Sequence, residues 1–110
     1  GYARSKLDIN EFLTKNSYQY MKVKENEKEK FAEFVAKNSY LSGSYDQEES
    51  FRDLDRKINE ISKANSTSNN ENCNRIFYLA LPPSVYTSVT RLLSLNCKAK
   101  RYLKKILISF

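Results

Sequence analysis

Histidine and tryptophan are absent from this 110-residue chain, and glycine, proline and cysteine occur only twice each. Without His there is no imidazole to move protons near neutral pH. Two cysteines with no histidine leave no ligand set for a zinc site. Two are also too few to read as a disulfide framework, so Cys73 and Cys97 are expected as reduced thiols. Two glycines exclude a glycine-rich phosphate loop within these residues. No apolar run reaches the roughly 18 residues of a membrane span. The opening residues, Gly1 to Ser5, hold no Met and lead into no apolar h-region, so no signal peptide is read there and the chain is expected to be a fragment.

Acidic residues are missing from one end. Residues 1–73 carry 12 basic and 13 acidic side chains, whereas residues 74–110 carry seven basic and none acidic, for a net charge of +6. The cluster from Lys98 to Lys105 is either a solvated helix end or a patch that attracts nucleic acid or an anionic membrane. Single-strand binding interleaves aromatic rings with cations. Here Tyr18, Tyr20, Tyr40 and Tyr45 lie in the acidic part and only Tyr102 in the tail, so neither nucleic acid nor membrane is the expected partner. A hydrophobic fraction of 40% and a charged fraction of 29% fit one folded domain with a modest core.

Asp8 with Glu11 three residues on is a capping pattern, and Ile9, Phe12 and Leu13 supply an apolar face, predicting a helix over 8–21. The alternating charges of 22–30 read as an exposed helix start. Phe31, Phe34 and Val35 turn that helix into a buried face, and Asn38 is placed to cap it. Residues 40–45 are too short for a helix and read as a brief strand or turn. Asp46 and Glu49 repeat the capping pattern before Phe51, Leu54, Ile58 and Ile61, a 3.6-residue stripe. A polar loop at 65–72 precedes an apolar run at 75–81, read as a buried strand. A helix begins at Pro83, where a missing N–H goes unnoticed, with Val85, Val89, Leu92 and Leu93 inward. Residues 103–110 are open between strand and helix. Strand followed by helix, after several helices, argues for α/β with a parallel sheet; an all-helical bundle is the competing architecture.

Two places carry candidate ligand chemistry. Arg4 follows a short glycine-led segment, where a strand hands over to a helix. Dinucleotide domains that take NADP place an arginine there for the adenosine 2′-phosphate, since guanidinium offers a planar fork of donors. Ser5 adds a hydroxyl. In Leu79-Ala80-Leu81-Pro82-Pro83, a small residue and two prolines form a rigid rim with few backbone donors, which suits the approach of a flat nicotinamide ring. Tyr86, one turn into the helix, is placed either to reach that rim or to cover the core edge. Arg4 as a solvated surface residue and the prolines as a bare strand-to-helix corner are the plainer readings. No catalytic constellation is visible: Asp53 and Asp55 cannot face one another on a helix, and the remaining carboxylates read as surface charge.

Three blocks, in order, resemble glucose-6-phosphate dehydrogenase: Gly1-Tyr2-Ala3-Arg4-Ser5, the run Phe34 to Asp46 with its Asn38-Ser39-Tyr40 and Gly43-Ser44-Tyr45-Asp46, and the run Asn74 to Tyr86. The likeness extends to about Cys97. It implies a partial Rossmann-like fold, a doubly wound parallel sheet with flanking helices, of which residues 1–97 are part of the coenzyme domain and 98–110 a divergent basic C-terminal tail. It further implies a cytosolic NADP-dependent enzyme that oxidises glucose 6-phosphate to the lactone in the pentose phosphate pathway and assembles as a homodimer or homotetramer. Arg4 and Ser5 would then meet the 2′-phosphate, Ala80, Leu81 and Pro82 would lie near the nicotinamide end, and Tyr86 would contact the cofactor. The family's glycine-rich loop and its histidine-bearing segment are not in this chain. No catalytic residue is therefore assigned, and the chain alone is expected to be inactive. The reading from another class is a small basic module acting through 98–105.

Overall fold

The computed structural model describes residues 1–65 and 74–98 together with the backbone of 105–108, and the chain divides into two compact units, Gly1–Gly43 and Ser44–Phe110. The polar loop after Asn65, Cys73 and most of the basic cluster fall outside the described residues.

In the first unit, strand β1 (Tyr2–Ala3) pairs in parallel with β2 (Leu41–Ser42), in the register Tyr2↔Leu41 and Ala3↔Ser42. Parallel neighbours need a long crossover, here built largely of helix. Asp8 caps its start: the Glu11 N–H donates to Asp8 Oδ1 at 2.9 Å, opening α1 (Ile9–Glu11). The run widens into a π-helix over Phe12–Ser17 and returns to α2 (Tyr18–Met21). The Thr14 hydroxyl bonds back to the Asn10 carbonyl at 2.7 Å, a local contact that bends helices. Lys22 ends the run with φ of 48°, the left-handed stop usually given to glycine. A 3-10 turn (Glu25–Glu27) leads into α3 (Lys28–Ala36). Asn38 closes it as expected, its side-chain amide donating to Phe34 O at 2.6 Å and its N–H to Val35 O at 3.0 Å.

The second unit is organised by α4 (Glu48–Asn65), whose stripe turns Phe51 fully inward. Strand β3 (Ile76–Leu79) leads through Pro83 into a 3-10 turn (Pro83–Val85) and α5 (Tyr86–Asn96), then to β4 (Lys105–Ile108). β4 lies parallel to β3, with Ile76↔Lys105 through Leu79↔Ile108 in register. The segment open between strand and helix is a strand at 105–108, and β3–α5–β4 is the βαβ unit of a parallel sheet. Among the described residues of this unit, Phe51, Leu79, Val89, Leu93 and Cys97 are the buried apolar ones. Mixed α/β with parallel pairing and helical crossovers matches a partial Rossmann-like domain; the all-helical alternative is excluded by both ladders.

Three expectations need correcting. The run at 75–81 is not buried throughout: Ile76 and Tyr78 are 65% and 64% exposed, whereas Phe77 is half-buried and Leu79 buried. Successive strand side chains point to opposite faces, and only one face of β3 is covered. Phe34 is exposed: its helix turns Phe31 and Val35 inward, and Phe34 keeps contact through the Phe31 ring, 6.2 Å away between centroids. Ile61 is also exposed, near the C-terminal end of α4.

Candidate functional site

Ligands of open parallel sheets sit beyond the carboxyl ends of the strands. Both candidate segments follow such an end. In the first unit, Gly1 N donates to Ser39 O at 2.6 Å, Leu41 N to Gly1 O at 2.9 Å and Gly43 N to Ala3 O at 2.9 Å, fixing β1 on β2 up to Ala3. The chain bends at Arg4 and Ser5 immediately after, leaving both exposed. The Ser5 carbonyl accepts the Tyr40 hydroxyl at 2.6 Å. Guanidinium and hydroxyl together offer donors and a positive charge, a set suited to a phosphate.

In the second unit, Ala80, Leu81 and Pro82 follow the last residue of β3. Ala80 and Pro82 are exposed and Leu81 half-buried. Pro82 holds an extended backbone (φ −59°, ψ 139°), and its carbonyl accepts the Val85 N–H at 3.1 Å. The rim is therefore stiff, and at two successive positions it offers no N–H. Tyr86 opens α5 half-buried, its carbonyl accepting the Thr90 hydroxyl at 2.7 Å. Arg4 and Ser5 lie in one unit, and Ala80, Leu81, Pro82 and Tyr86 in the other.

Sequence reasoning missed a polar node behind β3. Arg75 Nη1 donates to Asp55 Oδ1 at 2.5 Å and to Cys97 O at 3.0 Å, and Nη2 donates to Asn59 Oδ1 at 2.6 Å. The Arg75 side chain is 10% exposed and that of Asp55 28%, so the pair is largely shielded from solvent. One guanidinium thus ties the entry of β3 to two turns of α4 and to the end of α5. Cys97 is free and fully buried; its thiol donates to Phe51 O at 3.3 Å. Burial pushes that thiol up to about 11, the Asp55 carboxylate adding to the shift and Arg75 opposing it. It is a packing residue, not a nucleophile. The i,i+4 pair Asp55–Asn59 beside the apolar stripe was the available signal. Among the described residues no cluster of His, Cys, Asp or Glu is arranged to hold a metal, and no helix is long and apolar enough to cross a membrane.

Residues 1–109 match the family described as glucose-6-phosphate dehydrogenase, NAD binding domain. This chain belongs to that family. Over 108 residues it is 44% identical to glucose-6-phosphate 1-dehydrogenase of Ceratitis capitata, covering 98% of this chain and 19% of the relative. It is 45% identical over 98 residues to the Caenorhabditis elegans protein of the same name, covering 88% of this chain and 18% of the relative. A solved structure titled glucose-6-phosphate dehydrogenase in complex with its substrate glucose-6-phosphate superposes with a TM-score of 0.79 at 34% identity, covering 96% of this chain and 22% of that one. The chain therefore spans about a fifth of the length of these relatives. As a glucose-6-phosphate dehydrogenase NAD-binding-domain sequence, it carries the family's three blocks on β1 with the bend after it, from the end of α3 through β2 to the segment before α4, and on β3 with its following rim and the start of α5.

Proposed function

We propose that this chain supplies part of the NADP site of a cytosolic enzyme that oxidises glucose 6-phosphate to 6-phosphogluconolactone at the head of the pentose phosphate pathway, as a homodimer or homotetramer. The observation that carries this reading is the position of both candidate segments immediately beyond the carboxyl ends of parallel strands, one bearing Arg4 and the other the Ala80–Pro82 rim.

In this reading the Arg4 guanidinium pairs with two oxygens of the adenosine 2′-phosphate, and the Ser5 hydroxyl donates a further bond. That contact selects NADP over NAD, because without the phosphate the arginine gains nothing. Ala80, Leu81 and Pro82 bound the nicotinamide end, and Tyr86 closes it. When bound, NADP would supply the acceptor for the hydride that leaves the sugar C1 as the C1 hydroxyl proton passes to a base. With no histidine in the chain, residues 1–97 contribute cofactor binding rather than proton transfer, and the chain alone is inactive. Residues 98–110 form a basic segment outside this role.

Retention on an adenosine-2′,5′-bisphosphate resin tests the assignment. The chain is expected to be retained and eluted by free NADP, and Arg4→Ala is expected to flow through. Equal retention of both would overturn the site.

A further inference from the structure

We infer that Tyr40 is a positioning residue for the phosphate-binding turn, acting through its hydroxyl on the Ser5 carbonyl. This rests on the reading of Arg4 and Ser5 just given and deepens it. β1 is only two residues long, and its register with β2 ends at Ala3. An exposed arginine on a bend just past so short a strand loses side-chain and backbone freedom when it grips an anion. Tyr40 supplies the tether from the neighbouring strand.

Its ring is half-buried and lies against Gly1, close enough that a Cβ there would stand 3.2 Å from Cδ2. Its backbone sits directly before β2, between Ser39, which accepts from Gly1 N, and Leu41, which donates to Gly1 O. The phenol is therefore fixed at its base by the ladder. At its tip it donates to Ser5 O at 2.6 Å, on the far side of Arg4. Arg4 is thus held on one side by the β1–β2 pairing and on the other by this hydroxyl. Phenylalanine keeps the packing and loses only the tether, which makes the role separable from folding.

Binding of adenosine 2′,5′-bisphosphate and of adenosine 5′-monophosphate to the full 110-residue chain tests it by calorimetry. Tyr40→Phe is expected to weaken the bisphosphate roughly five- to tenfold, the worth of one hydrogen bond, with less than a twofold change for the monophosphate. Replacing Tyr40 by 4-aminophenylalanine, which keeps a donor at the same place, is expected to restore most of the loss. Equal weakening of both nucleotides, or no rescue by the amine, reduces Tyr40 to a merely structural residue and overturns the inference. Should Arg4→Ala weaken the bisphosphate while Tyr40→Phe does not, Tyr40 alone fails. If Arg4→Ala also leaves the bisphosphate unaffected, the underlying site fails with it.

Discussion

The Tyr2 ring lies so close over Gly43 that a Cβ built there would meet Tyr2 Oη at 2.6 Å, Cε2 at 2.7 Å and Cζ at 2.9 Å. The glycine is required by this approach and not by its backbone, since no glycine here has a positive φ. Two blocks almost forty residues apart in sequence are thereby one packed pair of strands, with the arginine-bearing turn at their end.

Gly43→Ala should therefore destabilise the chain by about 1–3 kcal/mol, the usual range for forcing a methyl group into filled space. Denaturant titration reads the change. Combining it with Tyr2→Leu should recover part of the loss, giving a non-additive cycle; strict additivity would mean that the ring is not what excludes the methyl.

Arg75→Ala is expected to cost about 3 kcal/mol or more, because it strands a half-buried carboxylate, an amide and a carbonyl at once. Arg75→Lys should recover only a minor part, since an ammonium lacks the planar fork that spans Asp55, Asn59 and Cys97 O. Thermal melts of both variants check this, and a lysine variant as stable as the original chain would contradict it.

The Cys97 thiol sets a pH dependence with a definite sign. Its folded value is raised from 9.0 to about 11, so the folded state keeps the proton longer than the unfolded one. Its contribution to stability is complete below pH 9 and is lost as pH rises from about 9 to 11. In a Cys73→Ser background, the stability difference between the chain and its Cys97→Ala variant should narrow across that window. Alkylation of Cys97 at pH 8 should proceed only as fast as the unit opens.

Lys22 occupies a left-handed backbone position at the end of its helix. Lys22→Gly should stabilise the chain by about 1 kcal/mol, since a Cβ is penalised there. Chemical denaturation measures it, and a loss of stability would contradict the assigned conformation.

Much of this was legible in residue order because it depends on local rules. The α4 stripe from Phe51 announces its period over three turns, Asp8 and Asn38 cap as short polar side chains do, and Pro83 opens a helix where its ring is tolerated. Residues 105–108 stayed ambiguous because a short apolar run carries no usable period. The open face at Ile76 and Tyr78 was hidden for a related reason: a continuous apolar run looks the same whether one face or both are covered. Arg75 was read as the mere start of a strand because its partners lie 16 to 22 residues away, and a helical Asp–Asn pair ordinarily faces water. Arg4 was singled out by the short strand-like segment it follows, whereas the Tyr40–Ser5 hydrogen bond beside it is a tertiary contact with no local signature.

An amide-resolved NMR titration of the 110-residue chain with NADP tests the central claim most directly. Saturable shifts at Arg4 and Ser5, and in the same titration at Ala80, Leu81 and Tyr86, are the predicted result, with the first set lost when NAD replaces NADP. Shifts confined to lysines of 22–30, fading as salt is raised, would show only a nonspecific anion effect and would contradict the cofactor assignment at each strand end.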